Sequence, residues 1–307
     1  MSGLKTITDI LQSEFEKINA KFRTVSIVHL RDLQKEINQW KRDKLITEKF
    51  FKQNYSQFSF KPPKTLSNTC SIIVIGVPQK IIHINFFYKG KQYQTVLPPT
   101  YVYSEVRIIC KKILSRILEN KGYFVDRAIL PLKLLAVKSG LAKYGKNNIC
   151  YVDGIGSFTR LEAFYTDCEF LPDDWHEKQI MKSCTDCSLC QNVCPTHCIP
   201  KERVLIHADH CLTYLNENKG NFPSWVPVRS HNALIGCMRC QMVCPQNKKF
   251  IQYDKQTIDF TEKETSIILH KTPRKHLSKA LTKKLIRFDI YEDYTLLGRN
   301  LSVLMNK

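Results

Sequence analysis

The sequence lacks a membrane span: no stretch of its 307 residues approaches the roughly 18 consecutive apolar positions that cross a bilayer. The opening "MSGLKTITDILQSEF" has no basic segment followed by an apolar one, so the chain is expected in the cytoplasm. Acidic residues are scarce, 28 Asp and Glu against 47 Lys and Arg, which leaves a formal net charge of +19. Such a field attracts acidic or phosphate-bearing partners. The excess is spread along the chain rather than gathered in one tail, so it fits RNA or DNA contact and also a solvated Lys-rich surface. There is no fixed-period repeat, which excludes a solenoid, and the glycines of "DGIGSF" are too close together for a dinucleotide fingerprint. At 43% hydrophobic, the chain can bury a sizeable core.

Cysteine, by contrast, is abundant. Thirteen are present, and in a reducing compartment disulfides explain them poorly. "CTDCSLCQNVCP", Cys184 to Pro195, has the C-x2-C-x2-C-x3-C-P spacing of two-cluster ferredoxins, where three thiolates grip one 4Fe-4S cubane and the fourth reaches the other. "CMRCQMVCP", Cys237 to Pro245, repeats the ending but lacks a leading cysteine, and Cys211 in "DHCLTYL" is available to complete it. The spacing therefore assigns Cys184, Cys187, Cys190 and Cys244 to one cluster and Cys194, Cys211, Cys237 and Cys240 to the other. Structural zinc would also use C-x2-C pairs, but gives no reason for two C-x3-C-P endings. Cys198 is either an alternative ligand or a small buried apolar residue. Cys70, Cys110, Cys150 and Cys168 lie in or beside apolar runs and are expected in the core.

Periodicity predicts an α+β fold: a layered mixed α/β core over 1–175, a ferredoxin-like double-cluster module over 176–247, and a basic helical tail over 248–307. Leu4, Ile7, Ile10, Leu11 and Phe15 predict a helix, as do Leu30, Leu33, Ile37 and Trp40, with "TVSIVHL" between them as a strand. "SIIVIGVP" reads as a strand buried on both faces, and "IIHINFFY" and "KQYQTVL" as a hairpin turning at Lys89-Gly90. Val106, Ile109, Ile113 and Ile117 predict a helix capped by Ser104 and closed near Gly122. Further helices are expected from Leu132 to Ser139 and in "PRKHLSKALTKKLIRF" and "DYTLLGRNLSVLM", and further strands at "YFVD" and "NICYVDG".

"VDRAILPLKLLAVKSGLAKYGKNNICY", Val125 to Tyr151, with the later "GSF", "HCLTYL" and "GCMRCQMVCP", resembles the epoxyqueuosine reductase family, cobalamin-dependent iron-sulfur enzymes related to reductive dehalogenases. The resemblance covers about 120–247 well and the N-terminal part more loosely. It implies two 4Fe-4S clusters feeding single electrons to cobalamin, a donor such as ferredoxin or flavodoxin, tRNA as a partner, and a monomeric chain. Asp126 falls on the family's catalytic aspartate, a proton donor whose pKa would be raised by burial among flanking apolar residues; the residues alone also allow a helix N-cap. Gly140, Gly145 and Lys146 correspond to a cofactor-lining loop, or form a helix C-cap and turn. The family's Val-Asp-Ser-Ala-Pro becomes Val125-Asp126-Arg127-Ala128-Ile129, its Glu-Arg pair becomes Leu132-Lys133, and its loop Gly-Trp becomes Ala142-Lys143. These changes point to a divergent paralogue with an altered substrate pocket. The alternative is an electron-transfer protein without substrate turnover.

Overall fold

A computed structural model describes residues 6–66, 68–101, 104–202 and 205–306; Leu4 of the expected first helix lies outside them. Its strands are β1 Lys21–Ser26, β2 Ser71–Pro78, β3 Ile82–Tyr88, β4 Lys91–Leu97, β5 Val125–Arg127, β6 Ala142–Tyr144, β7 Cys150–Val152, β8 Thr159–Thr166 and β9 Ile258–Phe260. The chain divides into two compact units, Met1–Pro78 with Glu105–Cys187 and Glu202–Leu205, and Gln79–Ser104 with Ser188–Lys201 and Ile206–Lys307.

The first unit is built on an antiparallel sheet in the order β1-β2-β8-β5. Successive side chains of a strand point to opposite faces. Ile72 and Val74 of β2 accordingly join one apolar cluster, while Ile73, Ile75 and Val77 join another. The first cluster takes in Leu33, Ile37 and Trp40 of the helix Leu30–Arg42 and Leu134 and Leu135 of the helix Leu132–Lys138. The second takes in Leu11 and Phe15 of the helix Ile7–Glu16 and Cys110 and Leu114 of the helix Ser104–Leu118. Helices on both faces explain why "SIIVIGVP" is apolar throughout, as the sequence implies, although every partner of β2 is antiparallel.

Three local expectations change. "TVSIVHL" is a strand only to Ser26; the Ser26 hydroxyl accepts from the Val28 N–H at 3.4 Å, and a 3-10 turn Ile27–His29 leads into the helix. In the helix Ser104–Leu118 the buried stripe is Val106, Cys110, Leu114, Ile117 and Leu118, and Ile109 is 37% exposed. Ser104 is the first helical residue rather than its cap. Gly122, at φ +83°, does close the segment.

In the second unit β3 and β4 form the expected hairpin, with Lys89 and Gly90 both at positive φ as a two-residue turn demands. β9 then pairs with β3 in parallel. That pairing carries the hairpin into one core with the tail helices Glu262–Leu269, Lys279–Arg287 and Tyr294–Met305. No helix among the described residues is long and apolar enough to cross a membrane.

Candidate iron-sulfur centre and acid site

The two cysteine motifs fold alike because their sequences impose the same backbone. Each contains a short helix, Leu189–Val193 or Arg239–Met242, and the two helices pack together. The residues before them, Ser188 and Met238, have nearly the same dihedrals, φ −120°, ψ 5° and φ −118°, ψ 2°. At the far end a proline forbids helical geometry to the residue before it. Cys194 and Cys244 are therefore extended, at ψ 113° and 121°, and each leaves its helix. Cys211 is extended in the same way, ahead of the helix Leu212–Glu217.

Within the second unit these turns gather sulfur. Cys194 and Cys198 are buried, and Cys190, Cys211 and Cys240 pack around them. The Cys198 thiol lies 3.5 Å from the Cys194 sulfur and also hydrogen-bonds Cys211. Those hydrogen bonds hold Cys194 down to about 5 and Cys211 down to about 7, while Cys198 itself is pushed up by serving both. Burial raises Cys237 and carries Cys240 well above the usual thiol range, with Cys211 and Cys194 adding to both. Thr196 Oγ1 is 3.6 Å from the Cys194 sulfur, and Asn232 Nδ2 donates to the Cys237 sulfur at 3.3 Å. Crowded thiolates in a buried pocket are costly until a cation compensates them, so the donor set fits an iron-sulfur core. Among the described residues no three His, Cys, Asp or Glu side chains are arranged around a single ion; a cubane spreads its four thiolates over four irons and does not need that arrangement.

Cys198 is thus buried as expected, but packed against other sulfurs rather than as a plain apolar filler. Thr196 and Asn232 escape a reading of the sequence because only their approach to sulfur marks them. In the other proposed set, Cys184 and Cys187 belong to the first unit and Cys190 and Cys244 to the second. Cys110, Cys150 and Cys168 are core residues whose thiols burial pushes up to about 12, 12 and 11, and Cys70 is half-buried.

The tail helix Tyr294–Met305 braces the segment that separates Cys211 from Cys237. Arg299 donates to the carbonyl oxygens of Leu215 and Asn216 at 3.0 and 3.1 Å and of Asn218 and Gly220 at 2.8 and 2.5 Å, and lies 4.0 Å over the Phe222 ring. Asn300 adds a bond to the Leu234 carbonyl at 3.0 Å. Charged hydrogen bonds of this kind contribute about 1.5–3 kcal/mol each at most, and they share one side chain. Arg299→Ala is expected to destabilise the chain by about 2–4 kcal/mol in urea unfolding of the cluster-loaded protein, and Arg299→Lys by nearly as much, because an ammonium lacks the planar fork.

Asp126 sits on β5, opposite Tyr165 of β8, and is half-buried. Its Oδ1 accepts from the Arg127 N–H at 2.7 Å. It does not cap the next helix, which begins at Leu132 with Pro131 ahead of it. The expected apolar enclosure is incomplete: Val125, Ala128 and Leu130 are buried, but Phe124 is 64% and Ile129 44% exposed. Beyond Leu130 a cavity of about 240 Å³ opens, lined by Trp40, Tyr55, Phe58, Leu132, Lys133 and Tyr144 among others. The aromatic-rich "FFKQNYSQF" that supplies part of its wall was the available signal for it.

Gly140 ends the helix Leu132–Lys138 in the left-handed region at φ +73°, with the His176 ring 3.0 Å from where a Cβ would stand. Gly145 is required by packing, since a Cβ there would lie 2.6 Å from Asn147 Oδ1 and 2.7 Å from the Tyr151 ring. Lys146 Nζ donates to the carbonyl oxygens of Thr185 and Cys187 at 2.9 and 3.1 Å, tying this loop to the start of the cysteine motif. Gly140 thus serves a helix end, Gly145 a close packing contact, and Lys146 braces the loop.

Residues 183–247 match the model of the 4Fe-4S double cluster binding domain. A curated epoxyqueuosine reductase from Staphylococcus aureus is 32% identical over 124 residues, 40% of this chain and 31% of that protein. One from Atelocyanobacterium thalassa is 30% identical over 163 residues, 52% of this chain and 50% of that protein. The chain is similar to the epoxyqueuosine reductases. It matches half or less of the length of these two relatives. It also has the epoxyqueuosine reductase fold: the solved enzyme from Streptococcus thermophilus superposes with a TM-score of 0.66 at 18% identity, covering 96% of this chain and 80% of that one. An epoxyqueuosine reductase solved with an epoxyqueuosine-modified tRNA-Tyr stem loop superposes with a TM-score of 0.70 at 16% identity, covering 98% and 82%. The matched segment, 183–247, contains all eight motif cysteines.

Proposed function

We propose that this chain is an iron-sulfur reductase of the epoxyqueuosine reductase type, loaded with two 4Fe-4S clusters on Cys184, Cys187, Cys190, Cys244 and on Cys194, Cys211, Cys237, Cys240. The observation that carries the reading is the gathering of Cys194, Cys211 and Cys240 around one buried pocket from separated parts of the sequence. Loss of an epoxide oxygen as water consumes two electrons and two protons. The clusters deliver electrons one at a time from a donor such as ferredoxin or flavodoxin, and Asp126, half-buried on β5, supplies a proton. Cobalamin, when bound, would supply the low-potential cobalt that cleaves the C–O bond. The cavity near Leu130 is smaller than a corrinoid, so the requirement for that cofactor, and its placement at the loop of Gly140, Gly145 and Lys146, rest on the resemblance. The strong positive charge, +19, supports a tRNA-borne substrate.

Anaerobic iron and sulfide analysis, followed by absorbance after gel filtration with added cobalamin, tests the reading. About eight irons per chain and a retained corrin spectrum are expected. Zinc alone, or a single cubane, would refute the two-cluster centre, and two cubanes with no retained corrin would instead favour an electron-transfer protein.

A further inference from the structure

Cys198 lies among the second set of cysteines without a place in their motif. A cubane takes four thiolates, and Cys194, Cys211, Cys237 and Cys240 follow the motif. Cys198 is 2% exposed, with its sulfur 3.5 Å from that of Cys194 and packed against Cys211 as well. A fifth buried thiolate beside an anionic cluster would be an uncompensated charge, so Cys198 keeps its proton. A thiol S–H is a donor, and the acceptors within reach are two ligand sulfurs.

Resting on the two-cluster reading above, we propose that Cys198 is a positioning residue whose S–H donates to the Cys194 and Cys211 thiolates and so raises the reduction potential of the cluster they hold. Reduction adds an electron whose charge is shared with the ligand sulfurs. A donor aimed at those sulfurs stabilises the reduced state more than the oxidised one. Thr196, beside Cys194, and Asn232, donating to Cys237, act in the same sense, so three of the four ligands carry a side-chain partner. Cys198 differs in reaching two of them. It also joins the loop after Cys194 to the segment carrying Cys211, so the two ligands that come from different motifs share one proton donor.

The test is an EPR-monitored redox titration of the anaerobically reconstituted full chain, comparing wild type with Cys198→Ala, Cys198→Ser and the core control Cys110→Ala. The second cluster's signal is identified as the one missing from Cys211→Ala. The alanine variant is expected to keep about eight irons but to be harder to reduce, by up to about tenfold in the reduced-to-oxidised ratio, or about 59 mV for one electron. Serine, which retains a donor, should restore most of the potential, and Cys110→Ala should leave it unmoved. An unchanged potential in Cys198→Ala with both clusters present would overturn the proposal. So would loss of one cluster in that variant, which would make Cys198 a ligand. A wild-type chain holding no second cubane would overturn the underlying two-cluster reading, and iron analysis reads that outcome separately from the potential.

Discussion

Anaerobically reconstituted Cys211→Ala is expected to hold about four irons, or about seven where a three-iron species survives, against about eight in the wild-type chain. The expectation is sharp because Cys211 is the ligand with least support from spacing: it stands alone in "DHCLTYL", 17 residues from Cys194 and 26 from Cys237. Its support is geometric. The 3-10 turn Ala208–His210 delivers it in extended geometry at the head of the helix Leu212–Glu217, packed with Cys194, Cys198 and Cys240. Without the thiolate one iron corner has no protein ligand, and the cubane is lost or falls to a three-iron species that EPR distinguishes. The set containing Cys184, Cys187, Cys190 and Cys244 shares no ligand with it and keeps its four irons. Retention of eight irons in Cys211→Ala, with loss only in the Cys198→Ala/Cys211→Ala double variant, would transfer the ligand role to Cys198.

The second large effect is at Asp126. Asp126→Asn preserves shape and, through its amide oxygen, an acceptor for the Arg127 N–H, so the turn after β5 is retained. What it removes is the ability to deliver a proton. General acid catalysis contributes about 10²–10⁴-fold, and reductive turnover by the variant should fall by that factor while its iron content and cobalamin spectrum stay at wild-type levels. Single-turnover assays with chemically reduced protein read the loss directly. Turnover at the wild-type rate would remove Asp126 from the mechanism, and parallel loss of iron would show that its role is structural.

Much of this was legible in one dimension because the physics involved is local. The C-x2-C-x2-C-x3-C-P spacing and the proline after each terminal cysteine act over a few residues, and the β-branched run of β2 and the Lys89-Gly90 turn are equally short-range. These announce a double cluster domain and an α+β core before any coordinates. The strand β8, central to the first unit, is not announced. Arg160 and Glu162 make it read as polar, yet Glu162 is 1% exposed because Arg107 and Arg160 pair with it at 3.3 and 3.2 Å, and Arg107 comes from a different helix. β9 is likewise three residues whose strand character depends on β3, more than 170 positions earlier.

Spacing along the chain proposes the eight cysteines and the family resemblance proposes the aspartate, since the chemistry of thiolate and carboxylate belongs to each residue wherever it lies. Three-dimensional packing settles what those residues experience. It leaves Phe124 and Ile129 exposed beside Asp126, commits Lys146 to two carbonyl oxygens, sets Arg299 as a clamp on the loop before Cys237, and places Cys198 between two ligand sulfurs. Burial and hydrogen bonding depend on neighbours that arrive from distant parts of the chain, and no local pattern encodes them.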